Sequence, residues 1–179
     1  YIAKNRTGKL SEVLDVMVNV PLIVPTAALG YSLGVFWTAQ NIIPTYDVLL
    51  IILAHVAFTY PLVVRNVAGA VEEVDPAFEE TARTLGAKPV QAFRRVLYPI
   101  IKSSILAGAI MAFTRSLGET GATQAVVASA QTAPVYIVNL IKLQTASGYY
   151  TAGLACIVLI MVSFAFMLAL RYITNRRSR

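Results

Sequence analysis

The sequence predicts an all-α membrane bundle of four spanning helices, on three observations. Its 179 residues are 57% hydrophobic and only 13% charged, with a mean hydropathy of +0.66, a balance outside that of a soluble domain of this size. Residues 16–46, 48–64 and 143–170 carry no Asp, Glu, Lys or Arg, and a spanning helix needs about 20 apolar residues. Thirteen of the fifteen Lys and Arg fall in three clusters that the apolar stretches separate.

The four spans are expected at residues 16–36, 47–67, 98–117 and 150–172. Pro21, Pro25, Gly30 and Gly34 interrupt the first, and Pro61 lies in the second. Such residues are tolerated in lipid where neighbouring protein satisfies the freed backbone groups, so both helices are expected to be packed and kinked. The third span is free of formal charge only from residue 103 to 114, so Lys102 and Arg115 must snorkel to an interface or face protein. Residues 120–141 are uncharged but hold Gln124, Ser129, Gln131, Thr132, Pro134 and Asn139. That polarity places them in an external loop with a short interfacial or re-entrant helix. The chain opens at Tyr1 without a Met, and Tyr1-Ile2-Ala3 reads as the end of a preceding helix, so one or more N-terminal helices are expected before it.

The basic clusters set the orientation. Lys4, Arg6 and Lys9 precede the first span; Arg65, Arg83, Lys88, Arg94, Arg95 and Lys102 flank the loop between the second and third; Arg171, Arg176, Arg177 and Arg179 follow the fourth. By the positive-inside rule both ends and that loop are cytoplasmic, with only Arg115 and Lys142 elsewhere. Trp37, Tyr46, Tyr149 and Tyr150 fall near the outer ends, where amphipathic rings sit. The net charge of +6 is then an orientation signal and not a nucleic-acid footprint.

The cytoplasmic loop, residues 72–97, reads as a helix, a tight turn and a second helix. Asp75 followed by Pro76 is an N-cap and first helical position. Glu79 and Glu80 lie in the first turns, favourable against the helix dipole. Gly86 supplies the positive φ that ends a helix near Leu85, and Pro89 starts the next, which runs toward the third span. The same stretch is compatible with a DNA-reading helix-turn-helix, with Gln91, Arg94 and Arg95 on the recognition helix. The third helix of such a domain is missing and lipid spans flank the block, so no nucleic-acid partner is expected.

Among the remaining polar residues, Arg115 and Glu119 are four apart and pair on one helix face. His55, midway along the second span, reads as a neutral, hydrogen-bonded residue ahead of a proton relay. Asp47 reads as an interfacial cap, and Cys156, the one cysteine, as small apolar packing. Nothing resembles a metal-ligand cluster or a cofactor site. Gly8-Lys9 is followed by Leu10 with Ala3 where a leading Gly belongs, so no phosphate-binding loop exists, and no Ser-His-Asp set can be built on His55. A catalytic role is not expected.

The block Glu80-Thr81-Ala82, three residues, Gly86, nine residues, Val96-Leu97-Tyr98-Pro99 resembles the EAA motif of ABC-importer permeases, Glu-Ala-Ala, three, Gly, nine, Ile-x-Leu-Pro. Glu80, Ala82, Gly86 and Pro99 are in register; Thr81, Val96 and Tyr98 depart from it. The motif covers about twenty residues, and the likeness extends along most of the chain. Gly118-Glu119-Thr120-Gly121-Ala122-Thr123 further resembles a stretch after that motif in molybdate, tungstate and sulfate permeases, with Thr120 where Phe is frequent.

The resemblance implies a single permease domain, residues 1–179, in a cell (plasma or inner) membrane. It implies two ATPase subunits that grip the loop, a second permease subunit as a homodimer, and an external substrate-binding protein. ATP and Mg would reside on the ATPases, none on this chain. Glu79, Glu80, Thr81, Ala82, Thr84, Leu85, Gly86, Ala87 and Pro99 would serve ATPase coupling, and Arg115, Glu119, Thr120 and Thr123 the translocation path or gate. Whether Glu119 lines that gate or packs the helix end stays open on sequence. The solute expected is an oxyanion such as molybdate, tungstate or sulfate, with phosphate, ferric iron or polyamine as alternatives. An ion-coupled secondary transporter is the mechanistic rival; it predicts acidic residues at the membrane midplane.

Overall fold

The computed structural model describes residues 8–39, 47–126 and 131–177, all helix and short connection with no strand among them. The helices are α1 (Lys9–Ile23), α2 (Thr26–Ala39), α3 (Asp47–Glu72), α4 (Ala77–Thr84), α5 (Pro89–Ala92), α6 (Tyr98–Leu117), α7 (Gly121–Val126), α8 (Ala133–Lys142) and α9 (Ala146–Arg177). A π-helical turn, Phe93–Leu97, joins α5 to α6, so Pro89–Leu117 runs as one 29-residue helix.

Among the described residues three helices are long and apolar enough to cross a membrane, Val48–Glu72, Pro89–Leu117 and Ala146–Tyr172, and α1 with α2 makes a fourth if the pair counts as one broken span. The first span, expected at residues 16–36 with a kink at its prolines and glycines, is instead two helices with a full break at Val24 and Pro25. The cause is local: proline has no N–H for the helical ladder, and its ring disfavours helical backbone at the residue before it. Pro61, by contrast, is accommodated inside α3. The third span, expected at 98–117, coincides with α6, while the fourth runs longer than expected, through α9. The segment expected to be external holds α7 and α8 among its described residues. Expectations for Tyr1 to Ala3, Lys4, Arg6, Tyr46, Ser129 and Arg179, and for the side chains of Asp47, Arg176 and Arg177, fall outside what the structure describes.

The chain divides into two compact units, one of Tyr1–Ile23 and Tyr60–Ala112, the other of Val24–Thr59 and Phe113–Arg179. In the first, Arg65 on α3 donates from Nε to Asn19 Oδ1 at 2.8 Å and approaches Asp15 at 3.8 Å, tying α3 to α1. Gly108 of α6 meets α3 closely: a Cβ there would sit 3.0 Å from Val63 Cα. In the second, Leu50, Ala54 and Phe58, one turn apart on α3, bury against Ala122 and Val126 of α7, with Leu33 and Trp37 of α2 packed on them. Trp37 therefore belongs partly to this core and not to an outer aromatic belt alone.

Gly30 and Gly34 explain why α2 and α7 pack. A Cβ at Gly30 would lie 2.7 Å from Ala122 Cα and nearer still to the Ala122 carbonyl oxygen; one at Gly34 would lie 3.4 Å from the Val126 carbonyl oxygen. In lipid, where apolar burial drives little, helix association rests on such close backbone approach. Hydroxyls and amides along the spans return to their own helix: Ser32 donates to Ala28, Thr59 to His55, Asn66 to Leu62 and Ser163 to Leu159 carbonyls. That satisfies them where water is absent. The α9 surface is apolar all round, with Leu154, Ile157, Val158 and Met161 exposed, as a lipid-facing helix requires.

Candidate functional site

The loop between α3 and α6 is ordered by its own turn chemistry. Asp75 accepts the Ala77 N–H at Oδ1, 2.9 Å, and its carbonyl accepts the Phe78 N–H. Pro76 already has helical φ −52° and ψ −29°, so Asp75 acts as the cap and Pro76 as the first helical residue in practice. The regular helix is a residue shorter at each end than the expected 76–85, since Leu85 leaves it at φ −79°, ψ 10°. Gly86 follows at φ +85°, and the Ala87 N–H returns to the Ala82 carbonyl, closing the corner. Lys88 N–H donates to Gln91 Oε1 at 3.0 Å and so caps the helix that Pro89 starts.

Positions within the corner divide by face. Ala82 and Glu79 are half-buried, and Glu79 lines one groove with the buried Ala92. Glu80, Thr81, Thr84 and Leu85 are exposed; Leu85, at 83%, and Phe78, at 56%, are large apolar side chains held out to solvent. Beside α4 lies a groove of about 400 Å³ whose walls include Val71, Pro76, Phe78, Val96 and Leu97, rimmed by acidic side chains.

Pro99 is the second residue of α6, and the π turn before it has a physical cause. An α-helical ladder needs the residue-99 N–H to reach the Arg95 carbonyl; proline lacks that donor, and its ring presses on that carbonyl. In the structure the turn widens, and the Tyr98 N–H reaches back five residues to Phe93. The sequence reading marked Pro99 but not the π turn.

A second cluster forms where α6 ends. Arg115 Nη1 donates to Glu119 Oε2 at 2.8 Å, the pairing expected from their spacing. Glu119 is 4% exposed, and its other oxygen accepts the Ala122 N–H at 3.0 Å, capping α7. Thr26 also hydrogen-bonds the carboxylate. Burial opposes the charge, while each of these donors supports it. The Arg115 guanidinium lies 5.4 Å over the Phe58 ring, a cation–π contact. Thr123 is fully buried, and Thr120 is half-buried in the connection before α7.

His55 is the participant whose partners sequence reasoning missed. Its Nδ1 lies 2.6 Å from Ser116 Oγ and its Nε2 2.8 Å from Thr123 Oγ1, with Phe58 tilted against the ring at 5.1 Å. Both nitrogens are hydrogen-bonded, as expected for a structural histidine. The partners are 61 and 68 residues away, a separation that no local spacing signals. The structure thus brings Arg115, Glu119 and Thr123 together with His55, Ser116 and Thr26. Among the described residues no group of His, Cys, Asp and Glu could hold a metal ion.

Comparison with known proteins finds relatives along most of the chain. The sulfate transport system permease protein CysT of Salmonella typhimurium is 40% identical over 119 residues, 61% of this chain and 43% of the relative. The molybdenum transport system permease protein ModB of Escherichia coli is 34% identical over 170 residues, 87% of this chain and 73% of the relative. ModB of Haemophilus influenzae is 28% identical over 191 residues, 98% of this chain and 82% of the relative. The chain thus spans less than half the length of CysT. The family model for binding-protein-dependent transport system inner membrane components matches residues 1–179, and the chain belongs to that family.

Proposed function

We propose that this chain is the membrane-spanning permease subunit of an ATP-driven importer for a tetrahedral oxyanion, molybdate, tungstate or sulfate. It works as a pair of copies with two ATPase subunits, which carry ATP and Mg, and an external binding protein that delivers the anion. The observation that carries the reading is the ordered corner from Asp75 to Pro99, a short exposed helix with a glycine turn tied directly into a spanning helix. Because α4 is held between α3 and the Pro89–Leu117 helix, a push on it moves the spans as a rigid body instead of being absorbed. The exposed Phe78 and Leu85 give an ATPase cleft two apolar anchors, with Glu80, Thr81 and Thr84 around them.

The oxyanion class rests on the relatives, whose names are sulfate and molybdenum permeases, and on the resemblance of residues 118–123. Both ends and the α4 corner are cytoplasmic on the basic clusters. Arg115, Glu119, Thr120 and Thr123 stand at the path, where pairing with Glu119 keeps the Arg115 charge from trapping an anion too tightly. Alternating access follows from partners that prefer one of two states.

The test is reconstitution of the full-length permease with its ATPase and binding protein in liposomes. ATP hydrolysis and uptake are expected to rise with molybdate, tungstate or sulfate on the binding protein. A rise with phosphate, ferric iron or a polyamine alone overturns the substrate class, and uptake without ATP overturns the importer reading in favour of an ion-coupled transporter.

A further inference from the structure

We infer that His55 is a latch that holds residues 118–120 closed over the buried Glu119 carboxylate, and that release of its two hydrogen bonds exposes that carboxylate and frees Arg115 from it. His55 bridges Ser116, in the last turn of α6, and Thr123, in α7, so one ring pins both ends of the same connection. Between those pins the chain folds back on Glu119, whose carboxylate is buried on Arg115 and the Ala122 N–H. Phe58, one turn along α3 from His55, is 2% exposed and carries the Arg115 guanidinium on its face. The ring and the ion pair are therefore seated on the same stretch of α3.

Chemistry suits an imidazole at this place. One ring nitrogen donates and the other accepts, and each hydroxyl takes the opposite part, so a neutral ring satisfies both neighbours without a formal charge at depth. An apolar residue of the same size leaves Ser116 and the fully buried Thr123 without their partner. With the latch open, Arg115 and two hydroxyls become donors that an anion can use. That consequence rests on the importer reading; the latch itself does not.

The latch is tested by labelling. In the full-length permease in sealed vesicles, with Cys156→Ser and Thr120→Cys, the rate of reaction with a membrane-impermeant maleimide reports opening of the connection. Two ordinary hydrogen bonds correspond to roughly a thirty-fold shift in the closed-to-open ratio, so His55→Leu should label roughly thirty-fold faster. His55→Gln, whose amide reaches toward the place of Nε2, should recover part of the protection, which a mere loss of packing volume does not explain. Thr123→Ala, which removes one of the two bonds, should label faster than the parent but less so than His55→Leu, and adding it to His55→Leu should change little.

Unchanged labelling in an inserted His55→Leu protein overturns the latch, as does a double variant whose effect is the product of the two. If His55→Leu fails to insert, Ser116→Ala and Thr123→Ala carry the same comparison. Absence of oxyanion-stimulated hydrolysis in the wild-type complex would defeat the importer reading and leave the labelling result standing.

Discussion

Gly30 and Gly34 sit one turn apart on α2 and meet the same helix, α7, at different clearances. A methyl at Gly30 meets the Ala122 backbone at 2.7 Å, where nothing can yield without moving a helix, whereas at Gly34 it enters ordinary contact at 3.4 Å. Gly30→Ala should lower the melting temperature of the detergent-solubilised protein, at a cost of about 1–3 kcal/mol for overpacking. Gly34→Ala should leave it nearly unchanged. Equal melting of the two variants would mean that α2 does not rest on α7. Glu119 supplies a second contrast. Glu119→Gln keeps an acceptor for the Ala122 N–H but loses the charge that pairs with Arg115, and hydrogen bonds to charged groups contribute about 1.5–3 kcal/mol. Since the Arg115 side chain is 49% exposed and partly solvated, the low end is expected. The variant should insert normally and change anion-stimulated flux several-fold; wild-type flux would leave the residue only its role as a cap of α7.

Among the elements, the π turn Phe93–Leu97 sets the rotation of α4 and α5 about the axis of the spanning helix. Pro99→Ala restores the missing donor and removes the ring that presses on the Arg95 carbonyl. The turn should then relax to α-helix, rotating what precedes it by roughly 100° for the one residue gained or lost. Cross-links from Leu85→Cys to the ATPase should fall several-fold in Pro99→Ala while membrane insertion persists; undiminished cross-linking would show that the π turn does not set the corner. The elements also show what was legible in the sequence. Asp75-Pro76, Gly86 and Pro89 encode the corner through local turn chemistry, and the structure has the expected cap, positive φ and restart. The α6 span is legible from its apolar run even though Lys102 and Arg115 leave only residues 103–114 free of charge. The sequence signals only a kink at Val24 and Pro25, because a helix can either bend at or end before a proline and local residues do not choose between them. The α2 seam on α7 and the His55 bridges were hidden for another reason: they join residues 61 to 92 positions apart, and periodicity speaks only of neighbours.

For the whole molecule, the placement of thirteen of fifteen Lys and Arg in three clusters predicts an orientation that labelling tests. A cysteine at Gly86 should react only from the cytoplasmic side and one at Gln131 only from outside, both positions being exposed; labelling of both from one face would overturn that orientation. The central claim, that the α4 corner couples this permease to an ATPase, is tested most directly at Gly86 itself. Among the described residues nothing beyond its chain neighbours lies within 4 Å of a Cβ built there, so its φ of +85° is what restricts the residue it accepts. Asparagine tolerates that left-handed conformation and a β-branched valine does not. Anion-stimulated ATP hydrolysis by the full complex should therefore survive in Gly86→Asn and fall at least several-fold in Gly86→Val, with both variants inserted alike. Full stimulation in Gly86→Val would contradict the account.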